Sequence, residues 1–124
     1  MHAPYELSVE TKFTAAHAIT MGGVPETPHS HEWHVTLTVA GSELNAEGFL
    51  CDFHELERLL NGITSEWEGL DLNTLEPFDQ VSPTAEHVAR HIALTLARQM
   101  PVGVRVVSVR ITEAPGCAAV YRVE

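Results

Sequence analysis

Two stretches of this chain alternate between apolar and polar side chains with a period of two residues, and this alternation constrains the fold more than any other feature. Such a pattern is typical of β-strands that bury one face and expose the other. We therefore predict half-buried strands from Tyr5 to His17 and from His31 to Val39. The apolar faces carry Tyr5, Leu7, Val9, Phe13 and Ala15 in the first strand, and Trp33, Val35, Leu37 and Val39 in the second. The segment between the strands holds two glycines and two prolines and is predicted to be a loop.

Two segments with helical periodicity follow these strands. The first is predicted to begin at Asp52, which with Glu55 resembles a capping box. The second is predicted to begin near Pro83, with Ser82 as its cap and proline at the first helical position, and to end at Pro101. The apolar stripes are Leu56, Leu59, Leu60 and Ile63 in the first helix, and Val88, Ile92 and Leu96 in the second.

Two more strands, from Val104 to Glu113 and from Cys117 to Val123, complete the order strand, strand, helix, helix, strand, strand. Consecutive amphipathic helices, together with strands that keep one polar face, favour an antiparallel sheet with both helices on one side. The predicted fold class is α+β. The chain has 124 residues, which fits one domain spanning residues 1–124.

The charge balance narrows the classes of partner. Seventeen acidic and seven basic side chains give a net charge of −10, which disfavours nucleic acid and anionic membrane surfaces as partners. No apolar run approaches the roughly 20 residues of a membrane span. The first ten residues lack the basic and apolar regions of a signal peptide, and two cysteines are too few for a disulfide framework. We therefore expect a cytoplasmic protein.

Strand parity brings together three of the eight histidines. His17 shares the parity of the apolar face in the first strand, and His29 and His31 share it in the second. If the two strands pair as an antiparallel hairpin, the three imidazoles converge at one apolar corner, where they are costly without a metal or a dense hydrogen-bond network. Three histidines with an open fourth position are typical of catalytic zinc. The alternative is that His29 and His31 are polar loop residues. The other histidines of the predicted helices and strands are expected to lie on the surface; they are His34, His54, His87 and His91.

Glu113 ends the predicted third strand with the parity of its apolar face. A carboxylate in that position is expensive if it is buried without donors. It could accept two parallel N–H bonds from a planar group such as the guanidine edge of a pterin or purine. A solvated acid at the strand end is the alternative.

Six segments of the chain resemble the family of 6-pyruvoyl-tetrahydropterin synthase and 6-carboxytetrahydropterin synthase. The segments are FTAAH, PHSH, DFHEL, LDLNTLE, SPTAEHVA and ITEAPGCAAVYR. The resemblance implies the tunnelling fold, in which two helices lie between the second and third of four antiparallel strands, and assembly into trimers or hexamers with pockets between subunits. It also implies zinc held by His17, His29 and His31, and a pterin ring anchored by Glu113 with Thr84 lining the same pocket.

This chain departs from the family pattern at two positions whose side chains transfer protons in active members. Active members use a cysteine as base in the loop before the histidine pair, whereas the loop from Gly22 to Pro28 has no cysteine and offers Glu26. They also follow an aspartate with a histidine, whereas here Leu72 follows Asp71. Glu26 and Asp71 are therefore the candidate catalytic residues, and we expect the standard synthase activity to be altered or lost. The alternatives are a non-catalytic oligomeric module that binds zinc and a pterin, and a structural zinc site with an empty pocket.

Overall fold

The computed structural model describes residues 3–124, in which four long strands form one antiparallel sheet. These strands are β1 (Tyr5–His17), β4 (His29–Gly41), β5 (Arg105–Ala114) and β6 (Cys117–Arg122), and they lie in the order β1-β4-β5-β6. Two short strands, β2 (Thr20–Met21) and β3 (Val24–Pro25), form a separate hairpin. Helices α1 (Phe53–Thr64) and α2 (Ala85–Ala97) lie between β4 and β5 in the chain, separated by a short 3-10 turn at Leu72–Thr74. The predicted α+β class, with two helices between the second and third strands of the main sheet, is confirmed.

One face of the sheet is buried because both helices pack against it. Helix α1 contacts β1, and α2 contacts β5 and β6. The odd-numbered side chains of β1 and β4 lie on the more buried face, as the alternation predicts, except that Tyr5 at the start of β1 is 42% exposed. Fully buried core residues include Trp33, Leu37, Leu56, Leu60, Ile92, Leu96 and Ile111. Each such aliphatic or aromatic side chain stabilises the fold by roughly 1.5–3 kcal/mol relative to an exposed one.

The pairing of β1 with β4 confirms the predicted hairpin and sets its register. His17 lies directly opposite His29, and Ala15 lies opposite His31. Strand β4 begins at His29, two residues earlier than predicted, because its first residues still pair with the end of β1. The pairing therefore places all three histidines at the same end of the hairpin.

The helix starts differ in detail from the prediction. Asp52 caps α1 by accepting a hydrogen bond from the backbone N–H of His54, but Glu55 binds Arg58 instead of completing a capping box. Helix α2 begins two residues later than predicted. Its cap is Thr84, whose backbone is extended and whose Oγ1 accepts from the N–H of His87 at 3.2 Å. No helix within residues 3–124 is long and apolar enough to cross a membrane.

Histidine placement is also mostly as predicted. The side chains of His34 and His54 are 57% and 84% exposed. His91 is different, since its ring packs against Trp67 and Phe78 with centroid distances of 5.9 and 5.5 Å. Burial against these rings lowers the pKa of His91, so the prediction of a solvated surface residue is wrong at this position.

Alkylation of the two cysteines gives a first test of the fold. Burial, reinforced by the charges of Asp52 and Glu55, raises the pKa of the half-buried Cys51 thiol, whereas Cys117 is exposed. A raised pKa lowers the reactive thiolate fraction at neutral pH. We expect iodoacetamide to modify Cys51 more slowly in the folded protein than in urea, by a larger factor than for Cys117. Peptide mass spectrometry measures both rates, and equal slowing of the two thiols would contradict this burial.

Candidate metal centre

Three imidazoles meet at the end of the β1–β4 hairpin, on the buried face of the sheet. Their ring centroids are 4.8 Å apart for His17 and His29, 5.1 Å for His17 and His31, and 4.4 Å for His29 and His31. The carboxylate of Glu113 joins them, so that one potential ligand atom from each of the four residues lies within 4.8 Å of the other three. The convergence expected from strand parity is therefore present, with a fourth residue added from β5.

His17 is held by a backbone carbonyl from the segment that precedes α2. Its side chain is 1% exposed, and its Nδ1 lies 2.8 Å from the carbonyl oxygen of Pro83. Because a carbonyl oxygen can only accept, Nδ1 carries a proton, and Nε2 is the ring nitrogen left to face the cluster. A second hydrogen bond of this type fixes the tautomer and the ring orientation of metal-binding histidines in general.

Two ring nitrogens in the cluster are buried without a partner. Neither His17 Nε2 nor His31 Nε2 has a hydrogen-bond partner within residues 3–124. Burial is the largest influence on His31 and lowers its pKa, although the carboxylate of Glu113 opposes the shift. A lowered pKa favours the neutral imidazole, which is the form that binds a metal ion.

Trp33 forms the apolar floor of the cluster. The Trp33 ring meets that of His17 edge-on, with centroids 4.8 Å apart, and its Nε1 donates to the carbonyl oxygen of Ala15 at 3.1 Å. Phe13 stacks on the indole, with ring centroids 5.8 Å apart. The indole N–H is therefore already engaged by Ala15 and does not compete for the histidine nitrogens.

Glu113 stands close to the cluster without bonding to it. Its Oε1 is 3.8 Å from His17 Nε2 and 3.7 Å from His31 Nε2, and the side chain is 27% exposed. Both distances exceed those of hydrogen bonds. A buried nitrogen left unpaired costs about 1–3 kcal/mol, and a single cation between these atoms would satisfy both nitrogens. Three imidazoles and one carboxylate are ligands that zinc accepts, so the residues present fit a zinc ion.

Glu26 is fixed beside the same cluster by two bonds to one residue. Its Oε1 accepts from the backbone N–H of Ile19 at 3.0 Å, and its own N–H donates to the carbonyl oxygen of Ile19 at 3.0 Å. The same carboxylate oxygen lies 3.5 Å from His29 Nδ1, which is also 3.3 Å from the carbonyl oxygen of Thr27. The segment between β3 and β4 therefore places a carboxylate at the rim of the histidine cluster.

The backbone of Asp71 pairs with that of Ala16, next to His17, but its side chain is occupied by local structure. Its side chain accepts from the backbone N–H of Asn73 at 3.0 Å and caps the 3-10 turn, and it is not part of the four-residue group found among residues 3–124. Leu72, at the position where the family carries histidine, is fully buried. Thr84 caps α2 immediately after Pro83, so it lies next to the residue that holds His17.

Asn73 contributes to the site in a way that the sequence analysis missed. Its Oδ1 accepts from the N–H of Ala18 at 2.8 Å, and its Nδ2 donates to the carbonyl oxygen of Ala18 at 2.9 Å. Ala18 lies between His17 and Ile19, the residue that holds Glu26. The amide of Asn73 thus anchors the backbone between His17, a candidate metal ligand, and Ile19, which binds the candidate base Glu26.

Replacing Asn73 with alanine tests this anchor. We expect Asn73→Ala to lower the free energy of unfolding by about 1–3 kcal/mol, because both backbone groups of half-buried Ala18 lose their partner. Urea denaturation measures the change. Asn61→Ala is a matched control, since this exposed amide accepts a single bond from the hydroxyl of Thr11; equal stabilities of the two variants would contradict the anchor.

Matches to known proteins cover nearly the whole chain. The family model described as 6-pyruvoyl tetrahydropterin synthase matches residues 6–124. The 6-carboxy-5,6,7,8-tetrahydropterin synthase of Bacillus subtilis is 33% identical over 130 aligned residues, covering 95% of this chain and 85% of the relative. A putative enzyme of the same name from Archaeoglobus fulgidus is 28% identical and covers 86% of each chain.

Solved structures show the same fold. The 6-pyruvoyl tetrahydropterin synthase of Caenorhabditis elegans superposes with a TM-score of 0.81 at 18% identity and covers 100% of both chains. The Plasmodium vivax enzyme superposes with a TM-score of 0.77 at 19% identity, covering 97% of this chain and 98% of the other, in a variant where a glutamate called a catalytic residue is replaced by alanine.

Proposed function

This chain belongs to the 6-pyruvoyl tetrahydropterin synthase family, and we propose that it is a zinc-dependent enzyme that acts on a pterin or a related bicyclic ligand. The observation that carries the proposal is the pair of buried Nε2 atoms of His17 and His31, which have no hydrogen-bond partner among residues 3–124 and lie 3.8 and 3.7 Å from the carboxylate of Glu113. A corner built this way is unfavourable unless a cation fills it.

His17, His29 and His31 would hold the zinc ion. When bound, zinc acts as a Lewis acid that makes a nearby substrate oxygen or an adjacent C–H group more acidic. His17 supports this role because Pro83 fixes its tautomer, and Trp33 shields the site from water on one side.

Glu113 and Thr84 would recognise the ring of the ligand. An ionised carboxylate can accept two parallel N–H bonds from the guanidine edge of a pterin. Glu113 suits this role because it is half-buried at the end of β5, beside the cluster. Thr84 is half-buried and its hydroxyl, which accepts from the N–H of His87, can still donate to a ligand.

Glu26 would accept a proton from the substrate in place of the family's cysteine. Its carboxylate is held at the rim of the cluster by Ile19 and lies beside His29. A glutamate is called a catalytic residue in the Plasmodium vivax enzyme, which supports a catalytic role for a glutamate in this fold. Asp71 is a weaker candidate for proton transfer, because its side chain already caps the 3-10 turn and Leu72 cannot relay a proton.

Self-association into a trimer or hexamer is part of the proposal. Strands β1 and β6 are the two edges of the main sheet, and edge strands present unpaired backbone groups that can pair with another chain. Pairing between copies through these edges would join their sheets and complete the pockets. The net charge of −10 argues against nucleic acid and anionic membranes as partners, and the proposed location is the cytoplasm.

Zinc content and turnover of dihydroneopterin triphosphate by the purified protein test the proposal. We expect stoichiometric zinc, together with product formation by a changed route at the pterin side chain, because the loop cysteine and the histidine after Asp71 are absent. Protein that folds but neither retains zinc nor binds a pterin would overturn it.

Binding without turnover is a second candidate function, and one observation favours it. Asp71 is tied to the N–H of Asn73, and Leu72 replaces the family's histidine in the core, so two proton-transfer positions of the family are unavailable. A protein with bound zinc and bound pterin whose ligand is released unchanged would establish this function instead.

A further inference from the structure

A groove on the outer side of α2 lies apart from the histidine cluster, and we propose that it binds the phosphate chain of a small molecule through Arg90 and Arg98. This α2 groove has a volume of about 280 Å³ and runs between α2 and residues 77–81. None of the residues that line it belongs to the four-residue group of the candidate metal centre. The inference therefore stands apart from the proposed function.

The side chains that α2 contributes to the groove form one stripe along the helix. Arg90 and Arg98 lie one turn before and one turn after Leu94, and residues spaced by four lie on the same side of a helix. Their Cα atoms are therefore about 12 Å apart along the axis, so that both long side chains can meet over Leu94 on one ligand. The opposite side of α2 packs against the sheet through Val88, Ala89, Ile92, Ala93 and Leu96.

The charge of the groove contrasts with that of the chain. The chain has 17 acidic and 7 basic side chains, yet no carboxylate lines the groove. Neither Arg90 nor Arg98 forms an ion pair within residues 3–124, and Glu86, four residues before Arg90 on the same helix, is not paired with it either. Two exposed guanidinium groups without a carboxylate partner leave the groove positive, and an anion from solution would complement them.

Two histidines of α2 add shape and a hydrogen-bond donor. His87 is fixed at one end of the groove, because its Nδ1 lies 2.7 Å from the carbonyl oxygen of Ser82. His91 is half-buried against Trp67 and Phe78, and burial lowers its pKa. A neutral imidazole still carries one N–H that can donate to a ligand oxygen. The positive charge of the groove therefore comes from its arginines.

The size and chemistry of the groove favour a phosphate chain over other anions. The guanidinium group presents N–H donors in a rigid fork that matches the oxygens of phosphate. A volume of about 280 Å³ lies just below the range of pockets for drug-sized ligands, about 300–1,000 Å³, so a short phosphate chain fits better than a folded segment of protein. Leu94 and Val81 give the groove an apolar wall, which weakens solvent screening of the arginine charges.

Calorimetric titration of the purified protein with inorganic triphosphate tests the inference. We expect saturable binding that Arg90→Gln and Arg98→Gln each weaken by about 10- to 100-fold, the loss expected for a hydrogen bond to a charged group. Arg58→Gln is the matched control, because it removes the same charge from an exposed arginine of α1 that is already bound to Glu55. This control should keep the affinity of the unmodified protein.

The same titrations separate the groove from other anion sites. Triphosphate bound to a metal ion elsewhere in the protein would be insensitive to Arg90→Gln and Arg98→Gln. Unchanged affinity in both variants, or an equal loss in Arg58→Gln, would therefore overturn the proposal. Glutamine is a good helix former, so both exposed positions on α2 can be changed without loss of the fold.

A second measurement uses the unmodified protein. Phenylglyoxal modifies accessible arginines, and peptide mass spectrometry gives the rate at each position. We expect triphosphate to protect Arg90 and Arg98 while the rate at Arg58 stays the same. Protection of neither groove arginine would overturn the proposal, as would equal protection of all three.

Two further ligands identify the source of the phosphate chain and its main competitor. ATP that binds more tightly than triphosphate would place the base on the apolar wall, whereas equal affinities would assign the groove to the phosphate chain alone; either result supports the proposal. A hexaglutamate peptide that binds more tightly than triphosphate would overturn it in favour of an acidic peptide.

Discussion

Protein carrying His31→Ala is expected to lose its zinc, with an affinity more than about 100-fold weaker than that of the unmodified chain. Loss of an outer-shell partner already costs about 10- to 100-fold in affinity, and His31 would be a direct ligand. His31 is the best of the three positions to change. Its Nε2 has no hydrogen-bond partner within residues 3–124, whereas removal of His17 would also strand the carbonyl oxygen of Pro83. Zinc per chain after dialysis, measured by atomic emission, gives the result.

His34→Ala is the control for this change, because it removes an imidazole from the same strand on the opposite, exposed face. We expect this control to keep its zinc, and we expect both variants to unfold near the same urea concentration once zinc has been removed with a chelator. Undiminished zinc in the His31→Ala protein would remove the ligand assignment, and with it the basis for metal chemistry at this corner.

The pairing of histidines could be predicted because strand periodicity and hairpin topology are properties of local sequence. Parity places His17 with Phe13 and His31 with Trp33, and an antiparallel hairpin between two adjacent alternating segments brings their facing ends together. The structure has this register, with His17 opposite His29. The same parity predicted that Glu113 lies on the buried face. It did not predict that the carboxylate lies 3.8 and 3.7 Å from the Nε2 atoms of His17 and His31.

The supporting contacts could not be predicted because they join residues far apart in the chain. The bond from His17 to Pro83 spans 66 residues, and the bonds from Asn73 to Ala18 span 55. No local pattern marks a backbone carbonyl as a partner. Asp71-Leu72-Asn73 does carry a local signal, since an aspartate often bonds the N–H two residues on, and that signal favours the capping role over a catalytic one.

The start of α2 shows how tertiary contacts override a local rule. Ser82 followed by proline satisfies the usual preferences for a cap and a first helical residue. The structure instead keeps Pro83 buried ahead of the helix, where its carbonyl oxygen binds His17, and uses Thr84 as the cap. His91 follows the same logic, because only the fold brings Trp67 and Phe78 against its ring.

Glu26→Gln should lower kcat by about 10²- to 10⁴-fold, the range for loss of one well-placed general base, while zinc content and pterin affinity stay unchanged. Glutamine suits this test because its amide oxygen can still accept from the N–H of Ile19, so the loop keeps the bond that positions residue 26. What the variant loses is the ability to take a proton. Steady-state kinetics on the zinc-loaded protein separate kcat from KM.

Two further variants decide how a loss of activity in Glu26→Gln is to be interpreted. Glu32→Gln, an equal loss of charge on the exposed face of β4, should leave kcat unchanged, which excludes a general electrostatic effect. Glu26→Asp keeps an ionisable carboxylate on a shorter side chain, so it should be more active than Glu26→Gln if residue 26 acts as a base. If the side chain only holds the loop through its bond to Ile19, the longer glutamine should be the more active of the two variants. Unmodified kcat in Glu26→Gln would exclude Glu26 as the base. Proton transfer would then have to come from another group, or the chain would bind its pterin without turnover, as the tied Asp71 and the buried Leu72 already favour.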